Sequence, residues 1–150
     1  MIHSRDITYN LHKVVFLLDK IADEVLEKKL NMTFSQFKIL IAIDHKTMSQ
    51  REIANYWDMT EAAVSRQIEL LVEKELILRD ENPDNRRQHV LKLSKKGKEM
   101  YDKGFEVLDT KTEEVFAELD DKEREVMAEG IHKLLKVICI KGGEVDCGCR

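Results

Sequence analysis

The residues best suited to chemistry in this chain are cations grouped without acids. Between Asn85 and Lys98 stand Arg86, Arg87, Lys92, Lys95, Lys96 and Lys98, with no Asp or Glu among them. Such a group neutralises phosphate, and the counterions it displaces make the binding steeply salt-dependent. His89 lies in the same stretch and suits a phosphate contact. A second group lies upstream: Thr60, Ala62, Ala63, Ser65, Arg66 and Gln67. Helical periodicity there turns Val64, Ile68, Leu71 and Val72 inward and leaves Glu61, Ala62, Ser65, Arg66 and Glu69 outward. An outward arginine on a helix can read guanine through two parallel hydrogen bonds, and small alanines allow close approach to a thymine methyl. Each residue also has a plainer reading. Arg66 could be a solvated helix charge, Arg86 and Arg87 turn charges, Ala62 and Ala63 simple helix formers, and Glu61 a partner of the helix dipole.

The remaining reactive groups are sparser. Cys147-Gly148-Cys149 sits in the tail 142–150 and reads as a floppy end, a redox pair or a fragment of a metal site. Two thiols fall short of the four ligands zinc wants, so no metal is expected. Cys139, inside the apolar run Val137–Ile140, reads as a buried inert thiol. The five histidines show no ligand spacing. No Gly-rich phosphate loop, nucleophile elbow or His-Glu-x-x-His pattern is present, so neither an enzyme nor a cofactor is expected.

The elements that must position these groups are mostly helical, since Pro83 is the only proline and glycine is scarce. A first helix is predicted from about Asp6 to Leu30, where Ile7, Leu11, Val14, Leu18, Ile21 and Val25 recur at spacings of four and three. A short helix follows over Ser35 to Ile43. Ser49-Gln50-Arg51-Glu52 is a capping box that opens a helix over Gln50–Trp57. After a break at Asp58-Met59, Thr60 caps a helix from Glu61 to about Lys74. Leu76–Arg79 and Gln88–Leu93 are β-prone and flank the turn signal Asn82-Pro83-Asp84-Asn85, which gives a hairpin with a basic return strand. Ser94 opens a long helix to about Leu119. Asp120-Asp121-Lys122-Glu123 opens the last one, striped by Val126, Met127, Ile131, Leu134, Leu135 and Ile138.

Bulk properties agree. The chain has 150 residues, 43% hydrophobic and 36% charged, with a net charge of −4. That suits one domain with a real core rather than a disordered or membrane chain. Thr60 to Lys98 carries nine Lys/Arg against seven Asp/Glu, a net of +2, so the remainder carries −6. No apolar run is long enough to span a bilayer, and the N-terminus lacks the pattern of a signal peptide, so a cytoplasmic location is expected.

Two short helices joined by a tight turn and followed by a basic hairpin make a winged helix-turn-helix. The segments Ser49–Ala54, Ala63–Ile68 and Leu70-Leu71 resemble the helix-turn-helix of the multiple-antibiotic-resistance regulator (MarR) family. Asn82–Arg87 and Val90–Gly97 resemble its wing. The match covers about Thr33 to Met100. The resemblance implies a mainly α fold with a small β-hairpin: one regulator domain over 1–150, with a DNA-binding lobe at 33–98 and N- and C-terminal dimerisation helices at 5–30 and 99–141. It implies a homodimer that binds an inverted repeat in double-stranded DNA, away from any membrane, most often as a repressor. It also implies release by a small aromatic or anionic effector or by an oxidant, for which Cys147 and Cys149 are the candidate redox groups. Two departures stand out. The family places Asp two residues before its wing arginine; here that position is Asn85, and Asp84 becomes the candidate brace, toward Arg86. The family often has Gly where Glu75 stands, and if the left-handed geometry is kept, Glu costs about 1 kcal/mol there. A rival reading is a winged-helix protein-interaction module without specific DNA binding, which an exposed apolar wing face would favour.

Overall fold

The computed structural model describes residues 3–45, 48–81 and 89–142. Among the described residues six helices and two paired strands follow in order: α1 (Ser4–Leu30), α2 (Phe34–His45), α3 (Gln50–Tyr56), α4 (Glu61–Glu73), β1 (Ile77–Glu81), β2 (His89–Leu93), α5 (Lys95–Phe116) and α6 (Asp121–Gly142). Two compact units contain them, Met1–Lys111 and Thr112–Arg150. The mainly α fold with a small hairpin is the one expected.

Local chemistry sets most of the boundaries in the first unit. Asn31 ends α1 in a left-handed conformation at φ 51°, its N–H bonded to the Glu27 carbonyl. Thr33 and Gln36 then form a reciprocal cap for α2: the Gln36 N–H donates to Thr33 Oγ1 at 3.2 Å, and the Thr33 N–H to Gln36 Oε1 at 3.3 Å. The Phe34 N–H donates to Asp23 Oδ1 at 2.7 Å, which ties the start of α2 to α1. The predicted box at α3 is present, with the Ser49 N–H on Glu52 Oε2 at 2.7 Å and the Glu52 N–H on Ser49 Oγ at 3.3 Å.

The core lies under the helix-turn-helix. Leu26, Phe37, Ile39, Leu40, Ile53, Val64, Ile68, Leu71, Leu76 and Ile77 are almost entirely buried. Gly104 lies against this core, where a Cβ would collide with the Phe37 ring. The first half of α1 does not join it: Ile7, Val14, Val15, Phe16 and Leu17 are exposed, while Ala22 and Leu26 near its end are buried. The strands pair antiparallel, Ile77 opposite Leu93 and Glu81 opposite His89. β1 begins one residue later than predicted, because the Leu76 N–H turns back to the Leu71 carbonyl in the turn that closes α4.

In the second unit the predicted cap of α6 forms, with the Asp120 N–H on Glu123 Oε2 at 3.0 Å and the Glu123 N–H on Asp120 Oδ1 at 2.8 Å. Arg124 closes the turn before it, donating to the Phe116 carbonyl at 2.7 Å and to Glu113 at 3.1 Å. Helix α5 stops at Phe116 rather than Leu119, whose N–H turns back to the Phe116 carbonyl. The apolar stripe of α6 lies open: Val126, Ile131, Leu134, Leu135 and Ile138 are all exposed. Cys139 therefore departs from its expected role. It is only half-buried, beside the exposed Val137 and Ile138, and it is disulfide-bonded rather than an inert thiol.

Candidate nucleic-acid interface

Helix α4 separates its faces as the periodicity requires. Val64, Ile68 and Leu71 are buried, while Glu61, Ala62, Arg66 and Glu69 are exposed. Thr60 starts the helix, accepting the Ala63 N–H on its hydroxyl at 3.1 Å, so the first turn is fixed before any ligand arrives. That turn presents the positive end of the helix dipole to solvent. Ala63 and Ser65 flank the open face and are half-buried. Gln67 differs from the other candidates. It is half-buried, and its amide oxygen is buried without a hydrogen-bond partner. The Trp57 indole N–H, at the end of α3, is buried in the same unpartnered state. Leaving such groups unpaired costs on the order of 1–3 kcal/mol each.

By sequence, Arg51 is one of the four residues of the capping box at α3. It stands exposed on α3 with its Nε 3.9 Å from Glu61 Oε1 at the first turn of α4. Both side chains are well solvated, so the pair contributes little to stability. It does place a cation beside the outward face of α4. The available signal was an arginine near the start of the first of two helices, where no core position claims it.

The hairpin brings His89 opposite Glu81, at the edge of the turn. Arg86, Arg87 and the candidate brace Asp84 lie outside the described residues, as do Cys147 and Cys149. Leu78 is exposed, but Lys92 stands opposite it and Asp80 follows on the same face, so the described strands carry no continuous apolar face.

Much of the acid-free basic run already has partners in the fold. Lys92 Nζ reaches Asp80 at 3.0 Å across the hairpin. Lys96 Nζ donates to the Lys74 carbonyl at 2.8 Å and approaches Glu75 at 3.4 Å. Lys98 Nζ lies 3.0 Å from Asp44 and 3.7 Å from Asp102, over the Tyr101 ring. Its hydrogen bond to Asp44 raises the Lys98 pKa, and burial raises that of the Tyr101 phenol. Lys95 remains exposed.

Glu75 links the two basic elements. It has φ 61°, the left-handed geometry for which glycine is favoured. Its N–H bonds the Val72 carbonyl, and its own carbonyl accepts the Ser94 hydroxyl at 2.6 Å. Ser94 Oγ in turn accepts the Gly97 N–H at 2.9 Å and so caps α5. A Cβ on Gly97 would collide with the Leu76 carbonyl, so α5 must meet the end of α4 through a glycine. These contacts fix the hairpin's base against the C-terminus of α4.

Beside this junction lies an open cavity of about 190 Å³ lined by Leu30, Asn31, Met32, Lys74, Leu76, Lys96 and Met100. Its two ammonium groups are engaged: Lys74 donates to the Asn31 carbonyl at 2.9 Å, and Lys96 to the Lys74 carbonyl. They compensate the negative C-terminal ends of α1 and α4. An anion would have to draw them away. Among the described residues, no group of His, Cys, Asp and Glu could hold a metal ion, and no helix is long and apolar enough to cross a membrane.

Comparison with known proteins places this geometry. Residues 30–88 match the model of the MarR family. No curated protein matches the chain. Among solved structures, apo wild-type MarR from E. coli superimposes with TM-score 0.80 at 23% identity, over 90% of this chain and 98% of that one. The transcriptional regulator BldR from Sulfolobus solfataricus gives 0.74 at 23% identity, over 91% and 100%. A cysteine-to-serine mutant of E. coli MarR complexed with operator DNA gives 0.71 at 23% identity, over 86% and 93%.

Proposed function

From a chain that is MarR-like in its winged-helix fold and, over residues 30–88, in its sequence, we propose a sequence-specific DNA-binding transcriptional regulator, acting as a repressor on an inverted-repeat operator. The observation that carries this reading is the first half of α4, capped by Thr60 and backed by Val64 and Ile68, with Ala62 and Arg66 open to solvent. A helix of this width fits the major groove, and its outward N-terminal residues are those that reach base edges. The likeness to a MarR solved with operator DNA supports the same reading. Arg66 reads a base, Ala62, Ala63 and Ser65 permit close approach, Thr60 meets backbone, and Arg86, Arg87 and His89 engage phosphate or the minor groove. Gln67 contributes least of the group, since its amide oxygen is buried.

Two chains act together in this proposal. Val14, Val15 and Phe16 on α1 and Val126, Leu135 and Ile138 on α6 are exposed apolar residues that a second copy would cover. The effector of such a regulator is a small aromatic or anionic molecule or an oxidant. Any effector must bind the DNA-competent and incompetent states with different affinity. At the cavity near Lys74 and Lys96, an anionic effector would act by competing for ammonium groups that now hold the ends of α1 and α4.

Selection of duplexes from a random pool, followed by sedimentation of the complex, tests the proposal. The expected product is an inverted repeat occupied by two chains, with half-site centres about one helical turn, roughly 10 base pairs, apart. Single asymmetric sites holding one chain would contradict it.

A further inference from the structure

Two opposite charges meet on the outer face of the helix-turn-helix, where the fold has little use for them. Arg51 Nε on α3 lies 3.9 Å from Glu61 Oε1 in the first turn of α4, and the two side chains are 79% and 66% exposed. A pair so well solvated adds little to stability. The Thr60 hydroxyl already caps this turn through the Ala63 N–H, so the cap is made without the Glu61 carboxylate. An outward acid is also costly on a helix that meets DNA, since a duplex carries about one negative charge per 1.7 Å of its axis. Resting on the reading of α4 as a helix that enters the major groove, we propose that Glu61 is a specificity-determining residue for cytosine, and that Arg51 positions its carboxylate and joins it to a neighbouring phosphate.

The hydrogen-bonding inventory argues for that base. An ionised carboxylate only accepts hydrogen bonds. In the major groove guanine presents two acceptors and thymine an acceptor beside its methyl, and both repel a carboxylate. Adenine sets its amino donor next to an acceptor, whereas cytosine presents the amino donor alone. Arg51 supplies what the acid lacks. Its guanidinium carries five N–H donors in a planar fork, and with Nε toward Glu61 the two terminal nitrogens stand farther out along the side chain, suited to a phosphate. The first helix of such a motif crosses the DNA backbone, which puts phosphate within reach of an arginine on α3. A duplex laid over the pair excludes water and lowers the local dielectric, so an attraction that is weak in the free chain strengthens in the complex.

The test compares the full chain with Glu61→Gln, Arg51→Ala and Arg51→Lys by selection of duplexes from a random pool, with affinities at several salt concentrations and helicity checked for each. The parent should prefer cytosine about tenfold at one symmetric pair of positions. Glu61→Gln gains a donor and should move that preference to adenine, the base a glutamine recognises, and leave the other positions alone. Arg51→Ala should weaken the cytosine preference severalfold and lower the salt slope by about one per chain engaged. Arg51→Lys should restore the slope but not the preference, since lysine has the charge without the fork. A merely structural pair would shift stability and leave the base profile unmoved. An unchanged profile in Glu61→Gln, with the parent still selective, would overturn the proposal and leave the DNA-binding reading standing. An Arg51→Ala variant that lost salt slope but kept the full cytosine preference would overturn the positioning role. A parent that selects no sequence at all would overturn both readings together.

Discussion

Replacing Glu75 isolates the strain stored where the recognition helix meets the wing. Its φ of 61° forces a Cβ into the left-handed region, at a cost of about 1–2 kcal/mol. Glu75→Gly removes that cost but gives the unfolded chain more freedom, worth about 0.4–1 kcal/mol. Glu75→Ala keeps the strain. Both substitutions lose the 3.4 Å pair with Lys96, whose partners are 56% and 83% exposed, so its small contribution cancels between them. The glycine variant should therefore exceed the alanine variant in stability by roughly 0.5–1 kcal/mol. Urea denaturation followed by helicity measures this, provided the two slopes agree. An alanine variant as stable as the glycine variant would refute the strain argument.

Other expectations follow from the same junction and its neighbours. Gly97→Ala should destabilise by about 1–3 kcal/mol, since its Cβ must displace the Leu76 backbone; thermal melting reads this. Alkaline titration should show a decline in stability beginning near the ordinary pKa values of Tyr101 and Lys98, 10.0 and 10.5. Both are raised in the fold, so their contribution is complete below those values and is lost as pH climbs through the folded ones. A Tyr101→Phe, Lys98→Met double variant should lose that part of the alkaline slope, and an unchanged slope would count against it.

The parts written in short-range code were legible in the sequence. Ser49 with Glu52, Asp120 with Glu123, and Thr60 ahead of α4 all cap as their spacing requires. Thr33 and Gln36 carry the same spacing and form the same kind of box ahead of α2. The alternation within α4 correctly separated Val64 and Ile68 from Ala62 and Arg66. Long-range pairing was not legible. Lys98 looked like free positive charge, yet its partner Asp44 lies 54 positions away. Nor does local sequence foretell that Gln67 buries its amide oxygen, or that Cys139 is bonded, since both depend on what packs nearby. The left-handed geometry at Glu75 came from family resemblance alone, because Glu itself gives no such signal.

A salt titration of DNA binding tests the central claim most directly, comparing the parent chain with Arg66→Ala and Arg87→Ala on selected and scrambled duplexes. Arg66 is exposed on α4, away from the buried Val64, Ile68 and Leu71 that hold the helix to the core. Its removal should cost about 1–3 kcal/mol on the selected duplex and relax preference at one symmetric pair of positions. Loss of Arg87 should weaken binding to both duplexes alike and lower the salt slope by about one per chain engaged. Equal affinity for selected and scrambled duplexes in the parent, with both variants unchanged and folded, would contradict the assignment of this winged helix to DNA.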